Sequence, residues 1–267
     1  MICIKCRSYF DLDRTLNCGQ CFRWYKKSDY WLGTVKGHLA MVRVKNECLE
    51  IESTLKDENF WKFYFDTDFD YDNAQKNFYK LGFPLNEATK ENHGIHILNQ
   101  DHWEALCSFI ISQNNNIPRI KLIIERLCKC FGDYNNGCYS FPSPKVISSL
   151  NNIGELSAIK AGFRAKYILN SAKYISDSKI DLKELEFMKS EEAIDKLQII
   201  KGVGPKIASC TMLYGYHRLD CFPIDTWIRK ILKTFSNSLN YEKLGDKRGL
   251  AQIYLFNWSR SHPEYFS

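Results

Sequence analysis

The chain has 267 residues, 37 of them Lys or Arg and 31 Asp or Glu, giving a formal charge of +6 at pH 7. With 45% hydrophobic and 25% charged residues and only 14 Gly and 7 Pro, the composition excludes disordered, collagenous and low-complexity classes. The length suits one large or two modest domains, and the mild positive balance favours a polyanionic partner.

Apolar runs such as "LCSFIIS" and "CTMLYGY" are too short to cross a bilayer, which takes about 20 residues, so no membrane association is expected. The start "MICIKCRSYFDLDR" has no export-signal layout. The 11 cysteines therefore read as reduced thiols of a cytoplasmic or nucleoid protein in a prokaryote, or a nuclear one in a eukaryote.

In chain order, Cys3-x-x-Cys6 and Cys18-x-x-Cys21 come first. Together they could build a tetrahedral zinc site. Their spacer is short and their flanks resemble strand ends, so chance clustering is the better reading and no metal is assigned, although the question stays open. From Gly19 to Glu52 the runs "QCFRWYK", "YWLGTV", "HLAMVRV" and "CLEIES" predict a strand meander, with turns at Lys27-Ser28-Asp29, Lys36-Gly37 and Lys45-Asn46. Phe60, Trp61 and Tyr64 then recur at helical spacing. The segment "DTDFDYD" starts like a calcium loop, but Tyr71 stands where the turn needs Gly and Asn77 where Glu is needed, so a solvated acidic loop is expected.

Beyond about Asn92 the pattern is helical. Asp101 is placed to cap "HWEALCSFIISQ", whose Trp103, Leu106 and Ile110 share a face. That helix stops at Asn114-Asn115-Asn116, and "IPRIKLIIERLCKCFG" restarts with Pro118 in its first turn and Gly132 as its stop. Ser190 is the expected N-cap of "SEEAIDKLQII". The fold class is α+β, with an N-terminal antiparallel sheet domain over 1–95 and a mostly helical domain over 96–267.

The segment "LQIIKGVGPKIASCTMLYGYHRLDCFPID" carries the most chemistry. Gly202-Val203-Gly204 can form a tight turn with outward N–H groups, and Pro205 starts the next helix. This helix-hairpin-helix design holds a DNA phosphate without reading bases. A lysine in a first helical turn opposes the helix dipole, so Lys206 is placed for something other than helix stability. Cys210 lies one turn on, on the same face. Asp225 opens "TWIRKILKTF" and is by itself explained as an N-cap.

These residues resemble the helix-hairpin-helix DNA glycosylases. Within them the chain is similar to the eukaryotic-type 8-oxoguanine DNA glycosylase/AP lyases: "CGQCFRW" is like "SGQSFRW", "SFIISQNNNIPRI" like "SFI-x-SxNNNIxRI", "GFRAKY" like "GYRARY", and "GLAQIYLF" like "GxAQxxLF". The resemblance implies Lys206 as Schiff-base nucleophile and Asp225 as the carboxylate beside the reacting sugar. It also implies that the Gly19 carbonyl and Gln252 read the flipped base, with Cys210 and Phe256 sandwiching it. Asn114, Arg119 and Arg164 would face the orphaned cytosine, and Phe163 would act as the wedge. Trp227 stands where the family carries a phosphate-contacting His. The implied partner is damaged duplex DNA containing 8-oxoguanine opposite cytosine, bound by a monomer. No organic cofactor is implied, and a loosely held monovalent cation at the hairpin is compatible with the resemblance.

Two rivals remain. An endonuclease III-like enzyme typically adds a C-terminal four-cysteine iron–sulfur loop, whereas Cys221, before Asp225, is the last cysteine here. A non-catalytic helix-hairpin-helix DNA-binding module would depend on Lys206 only for its charge.

Overall fold

In a computed structural model, which describes residues 1–239 and 241–266, the alternating N-terminal runs pair into one antiparallel sheet. Its strands are β1 (Ile2–Lys5), β2 (Trp24–Lys27), β3 (Tyr30–Val35), β4 (His38–Lys45) and β5 (Cys48–Ser53), in the order β1-β5-β4-β3-β2. Helix α1 (Leu12–Asn17), capped by Asp11, lies between the first two strands. Period-two alternation sends Trp24, Trp31, Ala40, Val42, Leu49 and Ile51 to one buried face, where Trp61, Tyr64 and Phe65 of α2 (Glu58–Phe65) cover them. Gly33 stands opposite Trp24, and a Cβ there would overlap the indole.

Two further helices, α3 (Tyr71–Tyr79) and α4 (Leu85–Glu91), share the second, helical core. They join α5 (His102–Ser112), α6 (Ile117–Phe131), α7 (Pro144–Ser148), α8 (Arg164–Ser176), α9 (Ser190–Gln198), α10 (Pro205–Gly215), α11 (Thr226–Thr234) and α12 (Arg248–Ser261). A two-residue hairpin, β6 (Tyr134–Asn135) with β7 (Cys138–Tyr139), follows α6. The buried Gln20 side chain bolts the sheet to the helices: its amide donates to the His96 carbonyl at 2.8 Å and its oxygen accepts the Leu98 N–H at 2.8 Å. Gln100 donates back to the Gln20 carbonyl at 2.8 Å. These bonds fix the Gly19–Gln20 turn against the helical domain.

The structure departs from the sequence reading in several local places. Lys189, not Ser190, occupies the cap of α9: Ser190 is already the first helical residue, and its hydroxyl donates to Asp220 at 2.8 Å. The acidic segment is not simply a solvated loop. Asp66 ends α2 and accepts the Tyr71 hydroxyl at 2.6 Å, while Asp70 caps α3 and pairs with Arg7 at 2.9 Å. Cys18 ends α1 rather than a strand. Cys18 and Cys21 belong to different cores, Cys3 is exposed, and no trio of His, Cys, Asp or Glu suited to a metal gathers among the described residues. No helix among those residues is long and apolar enough to cross a membrane.

Candidate active site

The turn between α9 and α10 is shaped by its glycines. Gly202 has φ +99°, and a Cβ there would run into the ring of Tyr167 on α8, so only glycine satisfies both backbone and packing. Its carbonyl accepts the Gln113 side-chain amide at 3.2 Å, tying the turn to the end of α5. Gly204 is extended and precedes Pro205 without a side-chain cap, leaving the start of α10 clear. Val203 does not present an outward N–H: that group donates to the Ile200 carbonyl at 2.9 Å, and the side chain is buried.

Lys206 lies in the first turn of α10. Its Nζ donates to Ser112 Oγ at 3.2 Å and stands 5.5 Å from the centroid of the buried Phe109 ring. Phe109 is stacked on Tyr214 at 5.2 Å, which gives the lysine a rigid aromatic floor. Asp225 caps α11 as expected, its carboxylate accepting the Ile228 N–H at 2.8 Å. Burial pushes the Asp225 carboxyl above its usual range, opposed by the Ile228 N–H and the charge of Lys206. One cavity of about 550 Å³ is lined by Lys206 and Asp225 together with Gly19, Asn114, Trp227 and Phe256.

Gly19 has φ +87° and faces the Phe256 ring: a Cβ on it would lie 3.7 Å from that ring and 3.4 Å from Ile117. Phe256 is on α12, one turn after Gln252, with the Arg260 guanidinium 5.4 Å from its ring centroid. Gln252 is not at the surface and does not line this cavity. Its oxygen accepts the Tyr214 hydroxyl at 3.2 Å and its amide donates to the Pro223 carbonyl at 3.2 Å. Cys210 is buried one turn behind Lys206, and burial pushes its thiol up to about 11, so it packs as a neutral group.

Asn114 is exposed in the loop between α5 and α6, and Arg119 is exposed in the first turn of α6. Phe163 is also exposed, at 54%, immediately before α8. Arg164 is placed differently. It is buried, and its guanidinium donates to the carbonyls of Gln113, Asn114 (2.7 Å) and Ala161 (3.2 Å) while stacking on Phe163 at 4.5 Å. It therefore braces the loop that carries Asn114. Trp227 lines the cavity, with Phe266 edge-on at 6.2 Å and Lys230 4.9 Å above its ring.

Several participants had no assigned role in the sequence reading. Phe109, Ser112 and Gln113 lie within the matched "SFIISQNNN" run without a role of their own, and Tyr214 is visible only as a helical residue. Their contacts to Gly202, Lys206 and Gln252 span long sequence separations, which helical spacing does not encode. A second cavity, of about 660 Å³, contains none of the candidate site residues.

Comparison with known proteins gives two family matches: "8-oxoguanine DNA glycosylase, N-terminal domain" over residues 3–106, and "HhH-GPD superfamily base excision DNA repair protein" over residues 107–245. A probable N-glycosylase/DNA lyase of Methanothermobacter thermautotrophicus is 29% identical over 195 residues, covering 61% of this chain. The chain spans 62% of that relative's length. A structure of MBOgg1 in complex with a low-affinity DNA ligand superposes with a TM-score of 0.91 at 36% identity, covering 98% of this chain and 96% of the other. The Clostridium acetobutylicum 8-oxoguanine glycosylase/lyase bound to DNA with cytosine opposite 8-oxoG gives 0.87 at 30% identity, covering 96% and 93%.

Proposed function

Because the chain belongs to the HhH-GPD superfamily of base excision DNA repair proteins, and within it to the 8-oxoguanine DNA glycosylases, we propose that it excises 8-oxoguanine opposite cytosine and then cuts the strand. The observation that carries the reading is one cavity that holds an amine, a carboxylate, an aromatic face and a close-approach glycine turn: Lys206, Asp225, Phe256 and Gly19. Extruding a nucleotide into such a cavity exposes its sugar to the amine.

The Lys206 amine attacks C1′, forming a C–N bond as the glycosidic bond breaks and the base leaves with a proton. Ring opening gives an imine. Loss of a C2′ proton then expels the 3′ phosphate by β-elimination. The Asp225 carboxylate stabilises positive charge developing at the sugar and takes part in proton transfer. No organic cofactor enters these steps.

Lesion selection rests on a single atom pair. 8-Oxoguanine carries an N7–H that guanine lacks, and the carbonyl of Gly19, a half-buried residue lining the cavity, accepts it, whereas guanine sets a lone pair against that oxygen. Asn114, exposed in the loop, and Arg119, exposed in the first turn of α6, are available to the acceptor edge of the orphaned cytosine. Phe163 fills the gap left in the duplex.

The test is borohydride trapping on an 8-oxoguanine:C duplex. Wild-type protein is expected to give a covalent protein–DNA adduct, and Lys206→Gln none while still binding the duplex. An undiminished adduct in Lys206→Gln would sink the assignment of the nucleophile and revive the rival reading of a binding module.

A further inference from the structure

The Ser112 hydroxyl has only one proton, and it is committed. Ser112 Oγ donates to the Phe109 carbonyl at 2.7 Å, in the last turn of α5. Only its lone pairs then face Lys206, whose Nζ donates to them at 3.2 Å. A hydroxyl arranged in this way accepts a hydrogen bond without competing for the lysine proton. It can accept from the ammonium and from the free amine, because both carry N–H groups, the bond to the charged form being the stronger.

The Cys210 sulfur, one turn on, also faces the lysine, but a thiol is a weak acceptor, which leaves the Ser112 oxygen the stronger directional contact. The Phe109 ring lies beneath the nitrogen, 5.5 Å from centroid to Nζ, and is itself fixed by stacking on Tyr214. Asp225 lines the same cavity and attracts the lysine charge, but as a base it also competes for the proton. An unrestrained lysine has four side-chain torsions to order before it can attack. Anchoring one N–H on Ser112 leaves the lone pair of the free amine to swing about the Nζ–Oγ axis.

We propose that Ser112 is a positioning residue that holds the Lys206 amine in attacking geometry, in both the base-release and the abasic-site steps. The proposal rests on the nucleophile assigned above, and wild-type trapping tests that assignment separately. The informative variants are Ser112→Thr and Ser112→Val, which have nearly the same shape and differ in the hydroxyl. Three quantities are measured: single-turnover base release from an 8-oxoguanine:C duplex at saturating enzyme, borohydride-adduct formation on a preformed abasic duplex, and affinity for a tetrahydrofuran abasic-analogue duplex.

The Val variant is expected to slow both chemical steps about 10- to 100-fold, the loss associated with misplacing a reacting group. The Thr variant restores them, and analogue affinity and Tm stay matched between the two. Equal rates for Val and Thr would overturn the proposal. So would a Val defect confined to base release with normal adduct formation on the abasic duplex, since that places the effect at the base rather than the amine. Failure of wild type to form any adduct would instead remove the glycosylase/lyase reading itself.

Discussion

Gly19→Ala separates lesion recognition from chemistry. The perturbation is small in space, because the added Cβ meets Ile117 at 3.4 Å and Phe256 at 3.7 Å, both ordinary contacts. It is not small for the backbone. At φ +87° an L-residue is strained by roughly 1–2 kcal/mol. For a protein of this size that is a fall in Tm of about 2–8 °C, with the fold retained. The new methyl also lies between the turn and the Phe256 face, where the extruded base is proposed to sit. If it displaces the base from the Gly19 carbonyl, the lost hydrogen bond is worth about 1–3 kcal/mol, or a 5- to 150-fold loss in base release. Cleavage of a preformed abasic duplex needs no base and should stay near wild type. The assay is single-turnover kinetics on both duplexes. A parallel loss on both, or no loss on the 8-oxoguanine duplex, would refute the role given to the carbonyl.

Asp225→Asn should raise stability slightly at neutral pH while abolishing most activity. The folded carboxyl titrates above its unfolded value because of burial, so its contribution is complete below the unfolded pKa and is lost as pH rises through the folded one. Asn keeps the cap and carries no buried charge. Thermal melts at pH 4 and pH 7 check this, and the wild-type acid limb of activity should lie above the ordinary aspartate range. Arg119→Ala should relax the preference for cytosine opposite the lesion with little change in Tm. Arg164→Ala removes hydrogen bonds to three carbonyls and should lower Tm and slow excision opposite every base; the two are compared by melting and by opposite-base panels. Gly202→Ala puts a methyl into the Tyr167 ring at a positive φ. It should cost about 2–4 kcal/mol, combining strain with overpacking, and weaken binding to undamaged and damaged duplex alike in a titration.

What was legible in the sequence is what short spacings encode. The runs that carry Trp24, Trp31 and Val42 are readable as strands, which the structure turns to one face, and the caps at Asp101 and Asp225 follow from residue type next to a helical run. Ser190 has the same signature but stands one residue inside the helix, with its hydroxyl donating to Asp220 thirty residues later. Arg164 likewise looked like a cation for DNA, but the Gln113 and Asn114 carbonyls fold over it from fifty residues away. The contact between Lys206 and Ser112 spans ninety-four positions, so no periodicity could reveal it. Asp225 shows why the bland and functional readings need not compete. The cap bond from Ile228 fixes where the carboxylate points, and burial beside Lys206 gives that fixed group its chemistry. A free loop aspartate would carry the same charge but would have to be ordered before each turnover, so capping is the means by which this site is preorganised.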